Sequence, residues 1–362
     1  MIYLRKVSSI IIPFCFAFLI FGCSTGNSKN GDVIFVFKNI NVIDAVNGLR
    51  KNQSVIVRNN KIVDAGLAGK IREPSGATIV ECNGKYMIPG LWDAHLHILD
   101  GKELTPDLMF PLFIATGITY IRDTSGDLEL LLSWREKASQ MNGMAPRIFI
   151  TGPHFDGLQT SWDHSISIVS AELVKPAFDS LIEAGVDHIK IYELPSPKVF
   201  NKIMSLSKSA GYKVSAHVPL TMDVIEASNA GLNSMEHMRN LELSISSDWD
   251  SLLQMRKKII ANFPGNSGRE LRPQIYRAQR LHAIRTQDEK RREIVLKCLA
   301  ENNTWQVPTL TLTASARHRL YARDDYRESF RYLPEPTRNE WMESAILKAD
   351  QLPTEEDVAM AE

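Results

Sequence analysis

The sequence contains few cysteines, and they lie far apart. Only four occur in 362 residues. Cys15 lies inside an apolar N-terminal run at 10–22, and Cys23 follows that run directly. The other two, Cys82 and Cys298, form no Cys-x-x-Cys pair, which argues against a disulfide framework and against a thiolate metal site. We expect two unpaired, buried thiols.

Neither sign of charge is in excess. The chain has 42 basic and 42 acidic side chains, so its net charge is near zero. Without a basic surplus there is no electrostatic case for a nucleic-acid partner, and we expect none. Hydrophobic residues make up 44 %, which is normal for a globular protein with one large domain or two smaller ones.

The N-terminus has the pattern of an export signal. Arg5 and Lys6 precede the apolar run "IIIPFCFAFLIFG", which is too short to span a bilayer comfortably. The run ends at Gly22-Cys23, as in a bacterial lipoprotein signal. We therefore predict a signal peptide at 1–23, lipidation of Cys23 and a flexible tether at 24–32. The protein would then be exported and anchored to a membrane of the cell envelope, with the periplasmic face expected. An ordinary signal peptide with an incidental cysteine is the alternative.

Residues 33–88 contain short strand patterns. The stretches "DVIFVFKNINVID", "QSVIVRNNKIVDAG" and "ATIVECNGKYMIPG" alternate apolar and polar residues and are broken by Gly, Asn and Asp. They predict a small antiparallel β unit, which the chain leaves at Pro89-Gly90.

After Gly90, apolar strands alternate with longer helical stretches. Near-continuous apolar strands of this kind predict an α/β fold with a parallel sheet, and their number favours a TIM-like (β/α)₈ barrel over 89–362. Only seven of the eight strands have a candidate segment. The seven are 90–98, 117–125, 147–153, 187–193, 212–218, 231–237 and 305–312.

A long charged segment separates the sixth strand from the seventh. Residues 241–304 have a mostly helical pattern, and in a barrel they would lie at the face that carries the active site. A lid over the site and a solvated helical decoration are both consistent with this pattern.

Four histidines fall at the C-terminal tips of predicted strands. His95 and His97 are two residues apart, so on a strand they point to the same face. His217 ends "YKVSAH", and His237 ends "GLNSMEH". Any one of them alone could be a hydrogen-bonded loop residue. Because the register matches on three strands, and because imidazole is a common Zn²⁺ ligand, we predict one metal site.

Lys190 lies between two isoleucines in the predicted strand "DHIKIYE". Burial of an unpaired lysine is costly and favours the neutral amine, which reacts with CO₂ to give a carbamate. A carbamate is an anionic oxygen ligand that can bridge two metal ions. The alternatives are an ion pair with Glu193 or Asp187 and, more weakly supported, a Schiff-base lysine.

Four stretches together resemble the metal-dependent amidohydrolases, specifically the imidazolonepropionase-like branch that is often found as exported lipoproteins. They are "PGLWDAHLH", "HIKIYE", "AHVPLTMDVIEASNAGLNSMEHM" and "VPTLT". The resemblance covers roughly residues 33–315. It implies a TIM-like barrel carried on a small β-sandwich, and one or two divalent ions, usually Zn²⁺. It also implies that His95, His97, His217 and His237 are ligands and that Lys190 is the carboxylated bridging lysine.

One element of the family pattern has no counterpart. The resemblance implies an Asp at the end of an eighth strand that binds metal and acts as general acid and base, and no such stretch follows "VPTLTLTAS". Residues 314–362 are polar and helical in pattern, with Thr354 and Asp357 spaced as a helix cap. We expect a chain that is incomplete at its C-terminus, with a degenerate, inactive homologue as the alternative.

The resemblance implies a hydrolase acting on carbon–nitrogen bonds other than ordinary peptide bonds, through a metal-activated hydroxide. Small amides, cyclic amides and dipeptides are the expected substrates. Tyr192, His164 and His154 are predicted to contact the substrate, although each could be a plain core or loop residue. The alternative function is a catalytically inactive, membrane-tethered binding protein on the same kind of barrel.

Overall fold

The computed structural model describes residues 32–99, 103–315 and 319–361. The predicted signal peptide, Cys23 and nearly all of the predicted tether therefore lie outside the described residues. The chain divides into two compact units. The first comprises the described residues up to Trp92 together with Asp107–Tyr120 and Ala138–Arg147, and the second comprises Asp93–Pro106, Ile121–Lys137 and the described residues from Ile148 onward.

The first unit is built on one mixed sheet. Its strands are β1 (Ile34–Asp44), β2 (Gly48–Arg58), β3 (Lys61–Leu67), β4 (Thr78–Glu81) and β5 (Tyr86–Met87). The order is β3-β2-β1-β4, and β5 also pairs with β1. The β1–β2 and β2–β3 pairs are antiparallel, as expected. In contrast, β4 and β5 run parallel to β1.

Local chemistry explains this sheet. The Asp44 carboxylate accepts hydrogen bonds from the backbone N–H groups of Val46 and Asn47 and closes the β1–β2 hairpin. After β3 the stretch 68–77 crosses back along the sheet, so β4 begins at the same end as β1. For that reason the antiparallel expectation is wrong for β4 and β5. The two-layered sandwich implied by the resemblance stays a prediction.

All seven strands expected after Gly90 are present, and each is shorter than its sequence pattern. The patterns end in polar residues that lie just beyond the strands, among them His217 and His237. The backbone N–H groups of these two histidines still donate to the carbonyls of Ile191 and Val307 in neighbouring strands. Two further strands of two residues each, β9 and β10, were not expected. The strands are β6 (Leu91–Leu96), β7 (Ile118–Asp123), β8 (Arg147–Phe149), β9 (Phe155–Asp156), β10 (Ile166–Ser167), β11 (Ile189–Ile191), β12 (Val214–Ala216), β13 (Ser234–Glu236) and β14 (Trp305–Val307).

The later strands form a six-stranded sheet in the order β10-β9-β11-β12-β13-β14. Every neighbouring pair is parallel, as the buried apolar strands predicted. Its core includes Ile189, Val214 and Met235, all buried. β6, β7 and β8 form a separate sheet, so closure into a (β/α)₈ barrel stays a prediction. In 319–361, as far as these residues are described, the regular elements are helices.

Thirteen α-helices occur in the described ranges, and none of them is long and apolar enough to cross a membrane. Four of them, α6 to α9, occupy the segment 241–304. The helices are α1 (Pro106–Ala115), α2 (Leu128–Gln140), α3 (Val174–Glu183), α4 (Pro197–Ala210), α5 (Val224–Asn229), α6 (Leu241–Ser244), α7 (Trp249–Ala261), α8 (Gly268–Arg285), α9 (Glu289–Glu301), α10 (Leu310–Ala314), α11 (Asp324–Glu328), α12 (Glu335–Ala349) and α13 (Glu355–Ala361).

Cys82 and Cys298 were both expected to be unpaired and buried, and the structure agrees for Cys82 but only in part for Cys298. Both are free thiols. Cys82 is buried in the core of the first unit, as expected, whereas Cys298 on α9 is partly exposed. A residue on the outer face of a surface helix has no sequence signature that separates it from a core thiol.

Candidate metal centre

Three histidines from three strand ends come together in the second unit. They are His95 near the end of β6, His217 directly after β12 and His237 directly after β13. One ligand atom of each lies within 4.8 Å of the others. The strands β12 and β13 are parallel neighbours, so the residues that follow them leave the sheet at the same edge. The histidine positions in the sequence predicted this convergence.

Each of the three imidazoles uses its Nδ1 atom for a protein partner. His95 Nδ1 lies 2.5 Å from a carboxylate oxygen of Glu236, and His217 Nδ1 lies 2.8 Å from one of Glu193. His237 Nδ1 lies 2.7 Å from the hydroxyl of Thr309. A carboxylate accepts the Nδ1–H proton, which leaves the Nε2 lone pair available to a metal ion.

The Nε2 atom of His95 supports this interpretation. It is buried and has no hydrogen-bond partner among residues 32–99, 103–315 and 319–361. A buried polar atom without a hydrogen-bond partner costs free energy unless a bound ligand or ion interacts with it. Three imidazoles with fixed Nδ1 partners and converging rings are a suitable donor set for a divalent ion such as Zn²⁺.

Burial also sets the protonation state of these rings. It lowers the pKa of His95 to about 4 and that of His237 to about 2. It lowers the pKa of His217 well below its usual value. All three imidazoles are therefore neutral near pH 7, which is the form that binds metal.

Lys190, on β11, is fully buried beside the histidines. Its ammonium nitrogen has no hydrogen-bond partner within the described part of the chain. Asp187 instead pairs with Arg135, and Glu193 pairs with His217 and Arg272, so the predicted alternative of an ion pair with either carboxylate is not what the structure shows. Burial lowers the pKa of Lys190 to about 7, so a large fraction of the side chain is a neutral amine at that pH.

His97 is placed differently from the other three. It is the first residue after β6, its side chain is exposed, and its Nδ1–H donates to the backbone carbonyl of Ser125 at 3.1 Å. Its ring centroid lies 5.3 Å from that of His95, but it is not one of the three converging residues. The strand ends at Leu96, so strict alternation no longer fixes the direction of His97. Its role as a ligand stays a prediction.

Two buried carboxylates, Glu236 and Glu193, hold two of the converging histidines in place, a role that the sequence did not indicate for either. Glu236 accepts hydrogen bonds from Arg122 (2.7 Å) and Ser234 (2.6 Å) as well as from His95. Burial acts to raise its pKa, but the charge that Lys190 carries when protonated, the hydrogen bond from His95 and the guanidinium of Arg122 outweigh burial. The pKa of Glu236 is therefore lowered, and the carboxylate stays ionised. The available signal was an acidic residue at the end of a buried strand, directly before a candidate ligand.

The three histidines line a cavity of ≈ 910 Å³ in the second unit. Tyr192, His164 and His154, the predicted substrate contacts, line the same cavity. Tyr192 accepts a hydrogen bond from the indole N–H of Trp162 at 3.1 Å. His154 is buried, and its two ring nitrogens lie 2.5 Å and 2.9 Å from the hydroxyls of Ser125 and Ser165. His154 is therefore already engaged on both sides.

Asp93 is the one carboxylate among the described residues that line this cavity. It lies on β6, two residues before His95, and accepts the backbone N–H of His95 at 3.2 Å. Burial raises its pKa, which makes it a better proton acceptor than an ordinary aspartate. No role was predicted for Asp93 from the sequence.

Comparisons with curated proteins find short matches. No protein-family model matches the chain. A dihydroorotase of Trichlorobacter lovleyi is 33 % identical over 69 residues, which is 19 % of this chain and 16 % of that protein. An adenine deaminase of Ligilactobacillus salivarius is 35 % identical over 99 residues, which is 23 % of this chain and 17 % of that protein. The matched part thus spans about a sixth of each relative.

Comparisons with solved structures cover nearly the whole chain. A Xaa-Pro dipeptidase with bound methionine superposes with a TM-score of 0.51 at 16 % identity, over 90 % of this chain and 80 % of that one. Bottromycin amidohydrolase gives 0.57 at 19 %, over 90 % and 62 %. Molinate hydrolase gives 0.53 at 13 %, over 91 % and 83 %. At these identities the likeness concerns the fold, and the chain shares the mixed α/β fold of these amidohydrolase-type proteins.

Proposed function

We propose that this protein is a metal-dependent hydrolase of the amidohydrolase type, acting on carbon–nitrogen bonds of small amides, cyclic amides or dipeptides. The observation that carries the proposal is the convergence of three neutral imidazoles whose Nδ1 atoms are held by protein groups. They lie on the wall of a cavity large enough for a small substrate. The names of the structural neighbours, a dipeptidase and an amidohydrolase among them, support the same class of reaction.

One or two divalent ions, with Zn²⁺ expected, would be held by His95, His217 and His237, with His97 as a further candidate. When bound, such an ion polarises a carbonyl oxygen and lowers the pKa of a bound water. The neutral Nζ of Lys190 can attack the carbon of CO₂; a nitrogen–carbon bond forms, one proton is released, and a carbamate anion results. That anion would satisfy the unpaired nitrogen and add oxygen ligands.

The remaining lining residues suit a small, partly apolar substrate with a polar group. Trp162, Tyr192 and Trp341 offer aromatic surface, and the guanidinium of Arg239 adds positive charge to the wall. Asp93 is placed to accept a proton within the cavity. Tyr192 and His164 are the residues we propose to contact the substrate.

The test uses the full chain, stripped of metal with a chelator and assayed with a panel of small amides, cyclic amides and dipeptides. Hydrolysis should require added Zn²⁺ or Mn²⁺, and His95→Ala should lose both bound metal and activity. His282→Ala is the matched control, because His282 is exposed and pairs with Asp248 on the surface. Hydrolysis that persists in chelator would refute the proposal. Metal binding without turnover of any panel member would favour the inactive binding protein.

We also propose that the protein is exported and anchored through a lipid on Cys23. The support is the leader pattern that ends in Gly22-Cys23. Metabolic labelling with a radioactive fatty acid should mark the wild-type protein and leave Cys23→Ala unlabelled, with Cys82→Ala as the matched control. Equal labelling of wild type and Cys23→Ala would contradict lipidation at this position.

A further inference from the structure

Two of the three converging histidines are held by the same arrangement of side chains. In each, an arginine donates to a buried glutamate, and the glutamate accepts from the Nδ1 of the histidine. The first runs from Arg122 through Glu236 to His95. The second runs from Arg272 through Glu193 to His217. Both glutamate side chains are fully buried, so neither can exchange its partners for water.

The second arrangement draws its arginine from the helical segment 241–304. Arg272 lies on α8 and binds Glu193 with two nitrogens, at 2.6 Å and 3.1 Å. Tyr276, one helical turn further on, donates its hydroxyl to the same carboxylate at 2.9 Å. Two parallel N–H···O bonds fix a carboxylate plane far better than one, and bonds to a charged acceptor are the strong ones.

Packing holds α8 in the register that this contact needs. Leu271 and Ile275 are fully buried and pack against Leu220, which follows His217 by three residues. Residues four apart lie on one face of a helix. Leu271 and Ile275 therefore share one face of α8, and Arg272 and Tyr276, each one residue further on, share the adjacent face. The apolar contact with Leu220 therefore fixes α8 in the position that places Arg272 and Tyr276 beside Glu193.

We propose that α8 is part of the metal centre and that Arg272 is a positioning residue for the ligand His217. Arg272 holds the Glu193 carboxylate in the plane that accepts the Nδ1–H of His217, and so directs Nε2 toward the ion. This inference rests on the proposed metal function. It assigns the segment 241–304 a role that neither a lid nor a solvated decoration describes.

Loss of Arg272 has a definite local consequence. Arg239 is the other guanidinium near Glu193; its Nε lies 3.4 Å from the carboxylate and makes no hydrogen bond there. Without Arg272, the carboxylate loses its two-point contact, and Arg239, which lies beside the same oxygen that accepts from His217, competes for that oxygen. The imidazole would then be free to rotate or to change tautomer, and both changes weaken metal binding.

The experiment measures Co²⁺ binding to the metal-free full chain, by visible absorption and by competition with a chromophoric chelator. Arg272→Met should lower Co²⁺ affinity about 10- to 100-fold, the usual effect of removing a group that orients a ligand, and should alter the absorption bands. Arg272→Lys keeps the charge but not the two-point contact, and should recover only part of the affinity. The matched control is Arg277→Met, on the exposed face of the same helix, which should bind as the wild type does.

Thermal unfolding of each variant separates positioning from folding. If Arg272→Met fails to fold, Arg272→Lys decides, with a several-fold fall in affinity at an unchanged melting temperature as the expected result. Wild-type affinity and wild-type absorption bands in both Arg272 variants would overturn the inference while leaving the metal function standing. A wild-type chain that binds neither Co²⁺ nor Zn²⁺ would overturn the metal function and this inference together.

Discussion

Replacing Glu236 by glutamine removes one negative charge and almost no volume. The carboxylate accepts from three donors, on His95, Arg122 and Ser234. Glutamine offers one oxygen and one NH₂ group, so at least one of the three donors would face another donor. The guanidinium of Arg122, only 18 % exposed, would lose its counter-charge.

The magnitude follows from these losses. Removing one partner of a buried charged pair costs roughly 3–5 kcal/mol. Arg122 is partly solvated and keeps its hydrogen bond to the Ala94 carbonyl, which places the expected loss near the lower bound. We therefore expect Glu236→Gln to lower the free energy of unfolding of the metal-free chain by about 3 kcal/mol. Zn²⁺ affinity should fall about 10- to 100-fold, because His95 loses the group that sets its tautomer.

Two measurements check this prediction. Urea unfolding of the metal-free chain at pH 7 gives the stability, and competition with a chromophoric chelator gives the Zn²⁺ affinity. Glu293→Gln, on the exposed face of α9, is the matched control and should change the unfolding free energy by no more than about 0.5 kcal/mol. If Glu236→Gln has the stability and the Zn²⁺ affinity of the wild type, Glu236 does not orient His95.

Three further predictions concern the same site. Lowering the pH from 6.5 should destabilise the metal-free chain, because His95, with a pKa of about 4, takes up its proton only on unfolding. At about 1.4 kcal/mol per pH unit the contribution of His95 alone reaches roughly 3 kcal/mol by pH 4, and the lowered pKa values of His217 and His237 act in the same direction. A flat urea profile between pH 6.5 and 5 would contradict this prediction. Lys190→Met should abolish hydrolysis. It should nevertheless raise the free energy of unfolding at pH 7 by about 1 kcal/mol, because it replaces a buried amine that lacks a hydrogen-bond partner with an apolar side chain. A clear fall in stability would show that the amine has a partner. Asp93→Asn should lower kcat at least tenfold and leave the Zn²⁺ content unchanged, as measured by steady-state kinetics and metal analysis. An unchanged kcat would show that Asp93 does not take part in proton transfer.

Apolar strand patterns and helix-capping residues in the sequence were sufficient to indicate the strands and two helix ends. Each of the seven expected strands is present, and β11, β12 and β13 are buried and parallel, as the apolar patterns predicted. Gly211 ends α4 with a φ of +77°, a left-handed conformation that glycine adopts easily at a helix C-terminus. Thr354 and Asp357 exchange the hydrogen bonds of a helix cap at the start of α13. These features depend on residues close in sequence.

The features that the sequence reasoning missed depend on contacts between distant segments. Glu193 was considered as a partner for Lys190, yet it binds His217 and Arg272, which are 24 and 79 residues away. Which basic side chain pairs with a buried carboxylate depends on distances between different strands and helices, and no local sequence pattern encodes these distances. The parallel pairing of β4 has the same origin, because a crossover of ten or so residues has no distinctive composition. Strands β9 and β10, two residues each, are too short for any periodic pattern.

The contact between α8 and Glu193 restricts where the segment 241–304 can change in length. Arg272 and Tyr276 reach one carboxylate because four residues separate them on a helix. One residue inserted between Gly268 and Arg272 would rotate both side chains by about 100° relative to the start of the helix and carry them off Glu193. One residue added between α7 and α8, at 262–267, leaves that spacing intact. Homologous chains that keep this contact should therefore vary in length in that loop and at the end of α8, and keep constant length across its first two turns.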